Sequence, residues 1–276
     1  MLIVSINGGL GNQLFQYALG KSLALKYNCK LFLDLSQLRL KTHQTQRRYL
    51  LDHLKINGAV IPPLAMTFLN AISQMRLNMI TKYSEPSNNF NKTVDKLGQN
   101  VILSGYWQSY KYFENIKNIL IREFEPKNEL VFDKSITKAI NGSNSVSLHV
   151  RRGDYLTNTA AKSLLGALSL SYYVESIAYI SAKVANPQFV IVSEDLVWAR
   201  QNLKKYLPKS TRYFHKDELS DFAILKRTRH SIIANSSYSW WPAYLGEKSI
   251  VIAPKRWYRS GKISTRDLIP KKWIQI

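Results

Sequence analysis

Three observations make this chain α/β, with parallel sheets in two halves. It opens on an apolar run at 2–6 (LIVSI), passes through a Gly-rich turn into a helical stretch at about 14–27, and returns to an apolar run at 30–35 (KLFLDL). Strand, turn, helix and strand in that order form a βαβ unit, whose crossover makes its strands parallel. The same rhythm recurs after residue 145, and 276 residues suffice for two α/β domains of about 140 residues each.

Each element has its own signal. The first helix is apolar on most faces, as a helix lying on a sheet is. Residues 101–107 (VILSGYW) read as a strand and 112–124 as a helix. Asn141-Gly142-Ser143-Asn144 is rich in turn formers and sets the expected boundary, giving halves at 1–142 and 143–276. Beyond it, strands are expected at 146–150, 189–193, 231–235 and 249–254, with helices near 171–185 and 195–206. No internal repeat is evident.

Between 40 and 100 the pattern is weaker. After Pro62-Pro63, the residues Leu64, Phe68, Ile72, Met75 and Met79 recur at helical spacing, with Arg76 and Lys82 nearby. This reads as a helix packed on its own core or as one meeting a membrane surface or an acceptor. Residues 84–100, rich in Ser, Asn and Lys, read as an irregular exposed segment.

Composition narrows the partners. Thirty-nine Lys and Arg against 18 Asp and Glu leave a formal charge of +21. Such a surface attracts polyanions: nucleic acid, anionic headgroups or phosphorylated substrates. A basic composition that serves solubility is the plainer alternative. A dedicated nucleic-acid binder would interleave basic residues with exposed aromatics on one face; here Lys and Arg are scattered, so no specific nucleic-acid partner is expected. Cys29 is the single cysteine, which excludes an internal disulfide and suits a reducing compartment. No secretory leader and no apolar run of about 18 residues is present, so a cytoplasmic protein with a peripheral membrane pool is expected.

Three clusters can carry chemistry. His149-Val150-Arg151-Arg152-Gly153-Asp154-Tyr155 directly follows a strand, where open α/β sheets bind ligands. Its two guanidinium groups match phosphate oxygens in pairs and stay charged at any relevant pH. They read either as a pyrophosphate clamp or as a solvated loop with an Arg–Asp ion pair. In Phe189 to Asp195 (FVIVSED), Asp195 ends a strand: it can accept from the N1–H and amino group of guanine, or cap the next helix. In His230 to Pro242, a strand runs through Asn235-Ser236-Ser237 into a helix that begins with aromatics, an arrangement suited to anion binding or to ordinary capping. The turn Gly8-Gly9-Leu10-Gly11 is not a dinucleotide fingerprint, because Asn12-Gln13 stand where a third glycine belongs; its amides could hold sugar hydroxyls or phosphate. There is no Asp-x-Asp and no phosphate loop, so positive side chains rather than Mg²⁺ are expected to stabilise a departing pyrophosphate.

The segments GGLGNQLFQYALGKSLA (8–24), GYWQSYKYF (105–113), HVRRGDY (149–155), SYYVESI (171–177), FVIVSEDLVWAR (189–200), DFAILKRTRHSIIANSSYSWWPAYLG (221–246) and VIAPKRWY (251–258) resemble the α-1,2-fucosyltransferases of bacteria and animals, in family order across almost the whole chain. HVRRGDY together with IIANSSYSWW is the specific pair. The resemblance implies a GT-B-like fold: an acceptor-side Rossmann-like domain at 1–142, a GDP-sugar domain at 143–276, and parallel sheets facing an interdomain cleft. It implies inverting transfer of fucose from GDP-L-fucose to the 2-hydroxyl of a galactoside in a glycan, free or lipid-linked, with no cofactor and no metal.

Carried over by position, Arg151 holds the β-phosphate with His149 and Arg152 in support, and Asp195 reads guanine. Asn235, Ser236 and Ser237 meet the pyrophosphate, while Gly11, Asn12 and Gln13 line the cleft. Asp154, then His149, are the expected bases for the acceptor hydroxyl. Asp154 orienting Arg151 or Tyr155 is the alternative. Leu165, Ser171, Lys226, Thr228, Arg229 and Pro242 depart from the family pattern outside the donor motifs, so the resemblance does not fix the acceptor.

Overall fold

The computed structural model describes residues 1–39, 47–74, 79–261 and 263–276. These fold as two compact units, Met1–Asn128 with Ser264–Ile269, and Glu129–Ile263 with Pro270–Ile276.

In the first unit the elements are β1 (Leu2–Ser5), α1 (Leu10–Lys26), β2 (Leu31–Asp34), α2 (Ser36–Arg39), β3 (Ala59–Val60), α3 (Pro63–Gln74), β4 (Thr81–Ser84), β5 (Val101–Ser104) and α4 (Lys117–Glu123). The strands form one sheet in the order β3-β2-β1-β5-β4, and every pairing is parallel. Order reverses between β1 and β5, so the crevice at their carboxyl ends is where an open sheet of this kind takes ligands. All four residues of β1 are buried, as a strand covered on both faces requires. Gly8, with φ of +74°, turns the chain from β1 into α1; a Cβ there would lie 2.7 Å from Asn12 Nδ2.

In the second unit follow α5 (Lys134–Asn141), β6 (Ser145–Val150), α6 (Gly153–Thr157), α7 (Thr159–Leu164), α8 (Leu170–Lys183), β7 (Gln188–Ser193), α9 (Leu196–Leu203), β8 (Arg212–Phe214), α10 (Glu218–Arg227), β9 (His230–Ile232), α11 (Ser237–Leu245), β10 (Ile250–Ala253) and β11 (Ile274–Gln275). Its all-parallel sheet runs β11-β10-β9-β6-β7-β8, the dinucleotide-fold order, with the switch between β6 and β9. Val146, Leu148, Phe189 and Ile191 pack with Tyr173, Ile177 and Ile180 of α8 into one apolar core. The α/β class and the two Rossmann-like parallel-sheet units are those expected, and the fold is GT-B-like.

Several expectations change. The division falls after residue 128 rather than at 141–144, because Ile136 and Ile140 of α5 pack on Val190, Val192, Ile224 and Leu225 of the second unit. Helix 112–124 is realised as two 3₁₀ turns, Tyr110–Tyr112 and Glu114–Ile116, leading into α4. The segment 84–100 is not wholly exposed: Val94 is buried in a 3₁₀ turn capped by Asn91.

In α3 the packed residues are Ala65, Met66, Leu69 and Ile72, set against Ile3, Ile61, Ile80 and Ile102, whereas Leu64 is 86% exposed and Phe68 66%. That helix is apolar on both faces, so periodicity alone could not choose between them. Met75 and Arg76 lie outside the described residues. No helix among the described residues is long and apolar enough to cross a membrane.

Candidate active site

The carboxyl edge of the second sheet gathers the first two sequence clusters by simple topology. Strands β6 and β7 pair in register from Ser145 opposite Gln188 to Val150 opposite Ser193, so Arg151-Arg152 and Glu194-Asp195 leave the sheet side by side. The four charges then pair across the two loops. Arg151 Nε and Nη2 lie 3.0 and 2.8 Å from Asp154 Oδ1, and its Nη1 donates to Glu194 Oε2 at 3.2 Å. Arg152 Nε donates to Asp195 Oδ2 at 3.1 Å, and its guanidinium lies 4.2 Å from the centre of the Trp198 ring. Burial works against the Arg151 charge; Glu194 and Asp154 outweigh it and hold its pKa above the ordinary value. The Arg–Asp ion pair foreseen as the plainer reading is therefore present, and it fixes both guanidinium groups at the strand end.

Asp195 also caps α9, accepting from Trp198 N at 3.0 Å, while its own N–H donates to Ser193 Oγ at 2.9 Å. The capping alternative is thus realised. An ionised carboxylate has about four lone-pair sites, so two partners leave Asp195 able to accept from a further donor. Glu194, bonded to Arg151, is a full member of the cluster. A Cβ on Gly153 would lie 2.6 Å from its carboxyl group, so that glycine lets the two loops close on each other.

The third cluster divides. Ser236 is buried and caps α11, accepting from Tyr238 N at 3.3 Å, and Ser237 is the first residue of that helix and half-buried. The Asn235 side chain does not face the site. Its Nδ2 donates to the carbonyls of Leu165, Gly166 and Trp257 at 3.2, 3.1 and 3.1 Å, and its Oδ1 is buried. An amide already donating three ways has no proton left for a phosphate, so Asn235 is a clamp on two loops rather than the anion ligand expected. Tyr155 ties the Arg loop to the same place by donating from Oη to Asn235 O at 2.9 Å.

His149 is buried in β6, 5.6 Å from the Tyr238 ring centre. Burial, and then the charge of Arg151, lower its pKa to about 3. It is neutral at physiological pH and too weak a base to take a proton from an alcohol. Asp154, bonded twice to Arg151, is placed as the orienter of that arginine.

In the first unit, Gln13 is fully buried. Its Nε2 donates to Gly8 O at 2.9 Å and Arg48 O at 2.7 Å, and its Oε1 accepts from Leu50 N at 3.0 Å. It knits the turn and does not line a cleft, contrary to expectation. Gly11 is buried in the first turn of α1, while Asn12 is half-buried and accepts from Gln108 Nε2 at 2.9 Å. Among the described residues no three His, Cys, Asp or Glu gather as a metal centre.

Comparison with known proteins identifies the family of the chain. The chain is 30% identical over its full length to an alpha-1,2-colitosyltransferase of Escherichia coli, of which the match covers 99%. It is 28% identical to galactoside 2-alpha-L-fucosyltransferase SEC1 of Bos taurus, across 71% of this chain and 59% of that one. In fold it is similar to an Arabidopsis thaliana FUT1 variant in complex with GDP, with a TM-score of 0.50 and 12% identity over 90% of this chain and 68% of the other. The model of Glycosyl transferase family 11 matches residues 1–276, and the chain belongs to that family.

Proposed function

We propose that this protein transfers L-fucose from GDP-L-fucose to the 2-hydroxyl of a galactoside, with inversion at the anomeric carbon and no required metal. The observation that carries the reading is the pair of guanidinium groups fixed at the carboxyl end of β6, beside the β6–β9 switch. As the glycosidic bond to GDP lengthens, the sugar becomes oxocarbenium-like and negative charge grows on the diphosphate. Arg151 and Arg152 answer that charge from a geometry already set by Asp154, Glu194 and Asp195, so little reorganisation is needed at the moment of reaction. Ser236 and Ser237, at the start of α11, add donors at the same edge. Asp195 has lone pairs left for guanine.

The acceptor is an oligosaccharide of a surface polysaccharide, built on a lipid carrier at the cytoplasmic face of the membrane, where a +21 protein is drawn to anionic headgroups.

A second donor has specific support in the full-length similarity to a colitosyltransferase. Colitose is fucose without its 3-hydroxyl, so one donor site could take either sugar unless it bonds that hydroxyl. The test is transfer to a galactoside panel from GDP-L-fucose, GDP-colitose and UDP-galactose, in EDTA, read by mass spectrometry. A fucosylated product cleavable only as an α-1,2 linkage is expected. Activity with UDP-galactose alone, or complete loss in EDTA, would remove the reading.

A further inference from the structure

At the switch point of the first sheet a half-buried carboxylate shapes a loop that none of the donor chemistry uses. Glu85 follows β4 directly, and its two oxygens accept from consecutive backbone N–H groups, Tyr106 N at 2.7 Å and Trp107 N at 2.9 Å. Burial raises its pKa, against the pull of those two bonds. The conformation it holds is a costly one. Trp107 has φ of +57°, a left-handed setting rare for a bulky residue, and is fully buried with no partner for its indole N–H among the described residues. Strain of this kind persists only where its surroundings over-determine it, and it gathers at ligand-binding positions.

The surroundings here are specific. Gly105 admits the Glu85 side chain, since a Cβ there would lie 2.4 Å from Glu85 Cβ. Gly105 O accepts from Gln16 Nε2 of α1 at 3.1 Å, and Gln16 also exchanges hydrogen bonds with Asn7. Gln108 then reaches Asn12 in the first turn of α1. The outcome is a rigid rim on the carboxyl side of β1 and β5 that carries two unlike groups, a 48% exposed Tyr106 ring and the Gln108–Asn12 carboxamide pair. An aromatic face beside carboxamides is the chemistry that recognises a pyranose: the ring covers its C–H face, and the amides meet its hydroxyls.

We infer that Tyr106 and Gln108 form the platform for the acceptor galactoside, and that Glu85 is the positioning residue that holds the platform in shape. This rests on the proposed function for the nature of the acceptor. It goes further by naming the residues that select it.

The experiment compares steady-state kinetics of the full chain and its Tyr106→Ala, Tyr106→Phe and Glu85→Gln variants, varying donor and acceptor separately. Saturation-transfer NMR with methyl β-galactoside in the presence of GDP provides a readout that needs no turnover. Tyr106→Ala and Glu85→Gln are expected to raise the acceptor KM about tenfold while the donor KM stays within about twofold, and Tyr106→Phe to stay near the parent on both. Saturation transfer to the galactoside should weaken in step. An unchanged acceptor KM in Tyr106→Ala, or donor and acceptor KM rising together in both variants, would overturn the inference. Galactoside binding that depends on Tyr106 without any transfer from GDP-L-fucose would sink the proposed donor but keep this platform. A wild-type protein that shows neither binding nor transfer removes both.

Discussion

Asp154 takes both Nε and Nη2 of Arg151 on a single oxygen, Oδ1, at 3.0 and 2.8 Å. A guanidinium held in this way cannot swing, and its remaining nitrogen, Nη1, is directed to Glu194. The consequence for catalysis is specific. Arg151→Ala should lower kcat by about 10²–10³ through loss of one preorganised donor. Arg151→Lys should not restore it, because a point charge cannot bond Asp154 and Glu194 while also facing phosphate. Asp154→Asn should weaken GDP binding in calorimetry as well as slowing transfer, since the arginine loses its anchor. Intact GDP affinity in that variant would return Asp154 to the role of base.

Asn235 yields a stability prediction instead of a catalytic one. Replacing it with Ala strands three carbonyls at Leu165, Gly166 and Trp257. Each buried acceptor left unpaired costs about 1–3 kcal/mol. Thermal melting should show a clear loss of stability, and whatever enzyme remains folded should keep its donor KM. A donor KM that rises with no change in melting temperature would restore Asn235 to the pyrophosphate.

How much of this was open to sequence reading depends on what each residue's surroundings add. The central strands β1 and β7 were legible because they are short runs buried on both faces, and burial on both faces favours near-continuous apolar residues. The outer strands β3, β4, β8 and β11 were not, being two to four residues long and partly exposed, so they carry no apolar run. The placement of Arg151, Arg152 and Asp195 at one sheet edge was legible because strand ends and parallel order alone fix it.

What side chains do with their hydrogen bonds was not legible. Gln13 and Asn235 have the composition of ligands and the partners of scaffold, and only the carbonyls around them distinguish the two. Glu85 offered no signal at all. Its meaning lies in the amides of Tyr106 and Trp107, twenty-one and twenty-two residues away.

Gly20 tests the packing of α1 on its sheet. A Cβ at this position would lie 2.4 Å from Val4 Cγ2 and 2.8 Å from Leu31 Cδ1, both on buried strands with no room to retreat. Overpacking a core in this way typically costs about 1–3 kcal/mol, more than the helix propensity gained over glycine. Gly20→Ala should therefore lower the denaturation midpoint despite the better helix former, as urea titration would detect. A stabilised variant would mean that α1 can lift from β1 and β2 at little cost.

His149 links burial to pH. Its pKa falls from about 6.5 to about 3 in the folded protein. Between those values the unfolded chain binds a proton that the folded chain refuses, so unfolding takes up a proton and acid favours it. The stability that depends on neutral His149 is complete above about pH 6.5 and declines by about 1.4 kcal/mol for each pH unit below that, until the folded pKa is reached. Carboxylates titrate over the same range, so the informative quantity is the difference between the wild type and His149→Gln. Urea midpoints measured from about pH 4 to pH 7 should converge as the pH falls, with the wild type losing the larger share. Curves that stay parallel over the whole range would mean that the imidazole gains a proton without leaving β6.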